Sequence, residues 1–195
     1  TPDEDARSLV FDDTLLFDID KFSGYDRLET GTRANIGVQY TLQGNNGLYA
    51  RAVFGQSRHL SGENAFADPG LTVGSVSDAP NFSPQSGLQT DRSDYVSGLY
   101  LSPFSGVSLV AQGRFDEKDW TLRRQDTYLQ ANYGPALAQI GYTFTRFDST
   151  PGVFDTQEEL ISTLGLRLTD RWSVLGQLRY DIDNQSRIQD LVQLK

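Results

Sequence analysis

The chain contains no cysteine, which excludes disulfide frameworks, thiolate zinc sites and cysteine nucleophiles from its 195 residues. It also lacks any run that approaches the ~20 apolar residues of a membrane helix. Acidic residues outnumber basic ones by 26 to 17, and the net charge of −9 argues against a surface that binds nucleic acid, because such surfaces cluster Lys and Arg. The single histidine, His59, has no motif around it, so we expect no histidine-based catalysis.

The amino terminus has neither the basic region nor the apolar region of a secretion signal. It reads Thr1-Pro2-Asp3-Glu4-Asp5, with no initiator Met. We therefore expect a mature or excised piece, from which any secretion signal has been removed or upstream of which it lies. The mean hydropathy of −0.45 does not decide the class, because a transmembrane strand shows lipid only every second side chain.

What the chain does have is alternation. About nine segments alternate between apolar and polar side chains, and most are about as long as a tilted strand that crosses a bilayer. In the first segment Ile36, Val38 and Tyr40 share one face, while Gly37 and Gln39 share the other. The segments are 34–42, 48–55, 95–101, 107–115, 120–133, 136–144, 162–168, 172–180 and 188–195.

The connections between these segments alternate between two classes. Short turns at 43–47, 103–106, 134–135 and 169–171 alternate with longer connections, which include 57–93 and 148–157. Outer-membrane barrels sort their connections in this way, because periplasmic turns are tight and extracellular loops are longer. A soluble sandwich has no reason to do so.

Arginine placement follows the same division into faces. Arg51, Arg114, Arg167 and Arg179 all occupy the polar face of their segments. A face that meets hydrocarbon would exclude them, because an Arg at the bilayer midplane costs on the order of 2 to 4 kcal/mol. Three arginines depart from the pattern, all near the ends attached to the longer loops: Arg123, Arg124 and Arg146.

These patterns predict an all-β fold, an antiparallel transmembrane β-barrel that is incomplete, with about nine strands of a larger barrel. Residues 1–33 are expected to be a loop or plug-like segment leading into the barrel, and residues 34–195 a partial outer-membrane β-barrel. The stretch at about 57–93 is expected to be a long extracellular loop. An odd strand number and the lack of a terminal aromatic residue predict further strands. The alternative is a soluble antiparallel sheet with one wet face.

The stretch before the first strand carries a resemblance to a known family. Asp12, the Leu16-Phe17 pair, the run from Phe22 to Arg27 and the run from Gly31 to Asn35 resemble the barrel of the LPS-assembly family LptD, also called the organic solvent tolerance protein. The most specific block is Gly24, Tyr25, Asp26 and Arg27, and the resemblance covers nearly the whole chain.

The resemblance implies a large barrel in the cell outer membrane that passes lipopolysaccharide to the outer leaflet. It implies four partners: lipopolysaccharide, outer-membrane lipid, an LptE-like plug lipoprotein and a periplasmic jellyroll or bridge component of the transport machinery. Neither the jellyroll nor the cysteines that tie it to the barrel in the family lie in this chain. The disulfide switch and the complete lateral gate therefore cannot be placed here.

Candidate sites are few. Arg51, Arg114, Arg167 and Arg179 face the lumen in this reading and could contact lipid A or core phosphates, because guanidinium groups bind phosphate bidentately. Enclosed arginines more often pair with carboxylates, such as Asp181 here. We favour this structural role over phosphate binding. Asp26 and Arg27 are expected to form a structural ion pair.

The acidic groups do not form a metal site. Asp12-Asp13 and Asp18-x-Asp20 lack the ligand count, the glycine and the distal Glu of a calcium loop, so solvated loop charge is the expected role. We expect no metal, no cofactor and no enzymatic activity. The function expected is lipopolysaccharide assembly, and the alternatives are a porin-like channel and a soluble β-sandwich binding module.

Overall fold

The computed structural model describes residues 10–22, 29–67, 72–73, 76–77, 85–150 and 153–194. Its regular elements are strands, apart from one short 3-10 turn at Asn45–Gly47. No helix in the described ranges is long and apolar enough to span a membrane.

Nine strands form one sheet in the order β1-β2-β5-β6-β7-β8-β9-β10-β11, and β3 and β4 pair separately. The prediction of an antiparallel all-β fold built from about nine segments is confirmed. Strands β1 and β11 stand at the two ends of the order, so the sheet is open. The strands are β1 (Thr32–Gln43), β2 (Tyr49–Ser61), β3 (Thr72–Val73), β4 (Val76–Ser77), β5 (Arg92–Ser102), β6 (Val107–Phe115), β7 (Leu122–Tyr133), β8 (Ala136–Thr150), β9 (Val153–Arg167), β10 (Ser173–Asp181) and β11 (Ser186–Leu194).

In strands β7 to β10 the register places apolar side chains of neighbouring strands on the same face of the sheet. Leu129 faces Ile140, Ala138 faces Leu164, and Leu164 faces Gly176, so the apolar set of each strand adjoins the apolar set of the next. A slip of one residue would move every apolar side chain to the other face. The alternation in the sequence therefore specifies the pairing.

Two of the longer connections differ from the prediction. The stretch 57–93 was expected to be a loop, but β2 runs to Ser61 and β5 begins at Arg92. Residues 148–157 were expected to be a modest loop, but β8 runs to Thr150 and β9 begins at Val153. The ladder continues through Arg146 facing Thr156 and Phe147 facing Asp155. The extension was not predicted because many of its side chains are polar. Polar composition alone does not distinguish a paired strand from a loop. The regular sorting of connections by length is weaker than the sequence suggested.

The chain divides into two compact units. Unit 1 comprises Thr1–Val38, Val53–Ser97 and Arg114–Thr121, and unit 2 comprises Gln39–Ala52, Gly98–Gly113 and Leu122–Lys195. Unit 1 has a hydrophobic core in which side chains from connecting segments meet two strands. The buried members are Phe11, Leu16, Phe22, Val53, Phe66, Leu88 and Val96.

Glycines on the polar face of unit 1 make room for this core. A Cβ atom on Gly37 would lie 2.9 Å from Leu16 Cδ2, and one on Gly55 would lie 2.5 Å from the same atom. Both glycines alternate with apolar residues in their strands, so they belong to the face predicted to be polar. The segment around Leu16 thus covers the polar face rather than the apolar one.

Candidate functional site

The apolar face of the strands is exposed. Ile36 is 64% exposed, Ile140 47% and Leu164 61%, and Leu109 is half-buried. In unit 2 this face also carries an apolar depression with a volume of about 630 Å³. Its lining includes Ala131, Ala138, Leu164, Leu166, Val174 and Val192. These side chains do not form the compact core that a soluble sheet would need.

The opposite face carries charged groups that are shielded from solvent. Glu159 is buried and accepts hydrogen bonds from Arg179 Nε at 2.8 Å and from Gln157 Nε2 at 2.8 Å. On β7, Arg124 Nε donates to Asp126 Oδ2 at 2.6 Å. The shielded charges of the polar face are thus paired, as the burial of a charged side chain requires.

Arg114 is engaged in unit 1. Its Nη1 donates to the carbonyl oxygen of Ser86 at 2.6 Å, and its Nε lies 3.3 Å from Asp94 Oδ2. The arginine is buried, so it ties β6 to β5 and to the segment that precedes β5. The carboxylate that pairs with Arg179 is Glu159, whereas Asp181 binds Asn184 instead.

Arg51 and Arg167 are placed differently, both in unit 2. The Arg51 guanidinium lies 5.3 Å from the centroid of the Tyr100 ring, and its buried Nε has no hydrogen-bond partner among the described residues. Arg167 is exposed. In the part of the chain that the structure describes, neither side chain joins an ion pair. The structure therefore divides the four sequence-predicted arginines into two that are paired and two that are not.

Unit 1 contains a buried ion cluster that was not predicted from the sequence. Glu29 Oε1 accepts from Arg33 Nε at 2.7 Å, and Glu29 Oε2 lies 3.8 Å from Lys21 Nζ. Burial lowers the pKa of Lys21 below its ordinary value, and the charge of Glu29 opposes that shift in part. No sequence motif joins Lys21, Glu29 and Arg33. The one available signal was the four-residue spacing of Glu29 and Arg33, which can indicate an ion pair.

The acidic residues near the start of the chain cap turns. Asp12 Oδ1 accepts from the backbone N–H groups of Thr14 at 2.8 Å and Leu15 at 3.2 Å, and Asp20 Oδ1 accepts from that of Phe22 at 3.0 Å. Within the described ranges, no group of three or more potential ligands could hold a metal ion. His59 lies in β2, where its Nε2 is 3.1 Å from the carbonyl oxygen of Gly62. Gly24, Tyr25, Asp26 and Arg27 lie outside the described residues.

Three aromatic rings stack in unit 1. The rings of Tyr95 and Trp120 lie 4.2 Å apart between centroids, and Phe54 lies 5.8 Å from Tyr95. Trp120 adopts a positive φ of 61° in the turn before β7. Both Phe54 and Trp120 are exposed.

Comparison with known proteins gives two matches. The family model LptD, described as LPS transport system D, matches residues 1–172. The LPS-assembly protein LptD of Acinetobacter baumannii is 26% identical over 185 residues, which are 93% of this chain and 20% of that relative. The chain thus spans about a fifth of the length of the curated relative that it matches.

Proposed function

The chain belongs to the LptD family, and we propose that it forms part of the wall of an outer-membrane β-barrel that delivers lipopolysaccharide to the outer leaflet. Members of this family are outer-membrane proteins of Gram-negative bacteria that serve lipopolysaccharide transport. The role is mechanical, because a conduit positions its cargo and neither makes nor breaks a bond.

The observation that carries the proposal is the reversed distribution of polarity. Large apolar side chains such as Ile36, Ile140 and Leu164 are exposed, while Arg114, Asp126 and Glu159 are buried. Complete transfer of such a side chain out of water stabilises by roughly 1.5 to 3 kcal/mol, and these side chains, about half to two thirds exposed, would gain a corresponding part of that. A bilayer supplies that gain on one face, and a hydrated interior accommodates the charges on the other.

The open sheet supports a larger barrel. Strands β1 and β11 have unpaired outer edges in this sheet, and such edges cannot face hydrocarbon, because each unsatisfied backbone group costs several kcal/mol. We propose that other strands of the longer protein pair with them. In this arrangement the short turns, such as that between β7 and β8, face the periplasm, and the connection between β2 and β5 faces outward.

The core of unit 1 favours assembly over free conduction. Leu16 packs against Gly37 and Gly55 on the polar face, so connecting segments occupy the side that an open pore would leave to water. A porin-like channel needs that space for solute.

The unpaired arginines are the better candidates for contact with the cargo. Arg114 and Arg179 are engaged by Asp94 and Glu159, whereas Arg51 and Arg167 retain donors toward the polar face. Both lie close to a short turn, on the side where cargo would enter. We propose that these two guanidinium groups contact lipopolysaccharide phosphates.

An export assay with paired variants tests the function. Cells that carry only the Arg51→Gln/Arg167→Gln protein should show reduced photo-crosslinking of lipopolysaccharide to the polar face and reduced surface lipopolysaccharide. The matched Arg114→Gln/Arg179→Gln variant should lose stability but retain crosslinking per assembled molecule. Normal lipopolysaccharide at the surface after depletion of the whole protein, together with conductance of the purified protein in planar bilayers, would refute the assembly role in favour of a channel.

The partners follow from the family as proposals. An LptE-like plug lipoprotein would occupy the barrel interior, and a periplasmic jellyroll or bridge component would deliver cargo to the turn side. Co-purification of the full-length protein with each component, before and after disruption of unit 1 by Gly55→Val, would show whether these contacts depend on this part of the chain.

A further inference from the structure

We infer that three stacked rings of unit 1, those of Phe54, Tyr95 and Trp120, form a binding site for an uncharged sugar ring. Phe54 and Tyr95 lie on the apolar face of their strands, opposite the polar face that is proposed to carry cargo. The site is therefore separate from the proposed transport role and does not rest on it.

The three rings are nearly parallel. The planes of Tyr95 and Trp120 differ by 9° at a centroid distance of 4.2 Å, and the planes of Phe54 and Trp120 differ by 5° at 6.1 Å. Phe54 is 42% exposed and Trp120 is 54% exposed, so the stack presents ring surface to the outside. A flat ligand can lie on such rings, whereas a compact cation is held best in a cage of several aromatic walls.

The backbone holds Trp120 in a conformation that tryptophan rarely adopts. Its φ is 61°, in the left-handed region that Gly, Asn and Asp favour. Hydrogen bonds fix this turn, since the N–H of Asp116 donates to the Thr121 carbonyl oxygen at 2.8 Å and the N–H of Trp120 donates to the Asp116 carbonyl oxygen at 3.2 Å. Strained residues of this kind cluster at ligand-binding sites. Asn or Gly would close the same turn without strain, so the turn alone does not account for a tryptophan here.

The turn that carries Trp120 also borders a polar depression in unit 1, with a volume of about 590 Å³. Its lining residues are Thr90, Asp91, Arg92, Glu117 and Lys118. Their side chains supply both donors and acceptors, which the hydroxyl groups of a sugar require. The C–H groups on the face of a pyranose ring carry slight positive charge and suit the negative face of an aromatic ring. Both kinds of contact that a saccharide makes are thus available at one turn.

Charge decides between the flat ligands that could lie on these rings. A nucleobase is flat but carries phosphates, and the run Asp116-Glu117-Lys118-Asp119 has three carboxylates against one Lys in a chain of net charge −9. Nucleic-acid sites cluster Lys and Arg instead. An uncharged sugar avoids this repulsion, and its hydroxyl groups can donate to carboxylates. Such a ring can come from a membrane glycolipid or from a soluble glycan.

The test uses the full-length protein in nanodiscs of phosphatidylcholine, with a glucosyl diacylglycerol that carries a photoreactive diazirine on its sugar. Labelling should map to residues 115–121, and Trp120→Asn should lower it by about fivefold or more, because a stacking contact is lost. Asn tolerates a positive φ, so this variant keeps the turn. Trp172→Asn is the matched control and should leave labelling unchanged. Trp172 is also 54% exposed, but no ring stacks on it in the part of the chain that the structure describes.

Three further probes complete the experiment. A diacylglycerol that carries the diazirine but no sugar should not label the segment. A methyl glucoside with the same diazirine separates the two sources: labelling by the glycolipid alone supports a membrane ligand, and labelling by both supports a site that also takes soluble glycans. If Trp120→Asn fails to assemble, Phe54→Leu removes a ring, keeps an apolar side chain and should lower labelling in the same way.

Three outcomes would overturn the inference. They are labelling by neither sugar probe, equal labelling by the diacylglycerol with and without sugar, and equal labelling of wild type and of the assembled variant that lacks a ring.

Discussion

A Cβ atom on Gly55 would lie 2.5 Å from Leu16 Cδ2, so Leu16 can lie against β2 only because position 55 has no side chain. A Cβ atom on Gly37 in β1 would lie 2.9 Å from the same Leu16 atom. The two glycines let the segment before β1 lie against the polar face of the sheet, where Val53 and Val96 also belong to the hydrophobic core of unit 1.

Replacing Gly55 should therefore loosen unit 1. Gly55→Ala places a methyl group 2.5 Å from both Leu16 Cδ2 and the Ile36 carbonyl oxygen, and we expect a loss of about 1 to 3 kcal/mol from overpacking. The measurement is the urea midpoint of the refolded full-length protein in micelles, with protease cleavage in 10–22 as a local readout. Gly176→Ala is the matched control, since no atom lies within 4 Å of the added group. Equal midpoints for the two variants would contradict the packing described here.

Glu29 should be the critical member of the buried ion cluster. Glu29→Gln leaves Lys21 and Arg33 as two shielded cations without their carboxylate, and we expect unit 1 to lose about 3 kcal/mol or more. Glu63→Gln removes an exposed charge from the same unit and should cost little. Denaturant unfolding of both variants measures the loss in free energy of unfolding for each. Equal losses would show that the buried ion cluster does not stabilise unit 1.

Lys21 should make stability depend on alkaline pH. Burial lowers its pKa, so as pH rises the folded protein releases this proton before the unfolded chain does. Between the lowered pKa and the ordinary value of 10.5 the unfolded state binds more protons, and stability rises with pH. The measurement is the difference in free energy of unfolding between wild type and Lys21→Met at increasing pH. The series should start at about pH 8, well below the ordinary pKa of Lys near 10.4. A difference that stays flat or falls over this window would disprove it.

The apolar and polar faces should differ sharply in their tolerance of charge. Ile140→Arg places a cation near the middle of a crossing strand and should cost on the order of 2 to 4 kcal/mol, which lowers the amount of heat-modifiable barrel in the outer membrane. Gln139→Arg, one residue away, turns to the polar face and should assemble nearly as wild type. If both variants assembled equally well, the placement of the sheet in a bilayer would be untenable.

The pair between Arg179 and Glu159 should show coupling. Arg179 is 41% exposed, so the pair is expected to contribute only about 1 kcal/mol, and Arg179→Gln should cost slightly more because Glu159 is then left with Gln157. Arg179→Gln/Glu159→Gln should recover part of that loss. A double-mutant cycle measured by denaturant unfolding gives the coupling energy, and strict additivity would mean that the two groups do not interact.

The strands were predictable because alternation is local. Ile36, Ile140 and Leu164 could be assigned to one face from their own neighbours in sequence, and the nine-stranded sheet followed. The extension of β8 and β9 to Thr150 and Val153 was missed, since both strands become polar where the ladder continues. A hydrophobic pattern predicts which side chains are buried in lipid or in a core. It does not predict backbone hydrogen bonding between two strands whose side chains face water.

The sequence by itself determined the all-β class and the nine segments of the main sheet, because a period of two is set by the backbone within a single strand. Only the tertiary structure decided which groups meet. It placed Leu16 against Gly55, Glu159 beside Arg179, and Arg123 and Arg146 over Phe154. Each of these contacts depends on the strand register and on the path of the connections. No local sequence pattern encodes either of them, because residues far apart in sequence become neighbours only once the strands have paired.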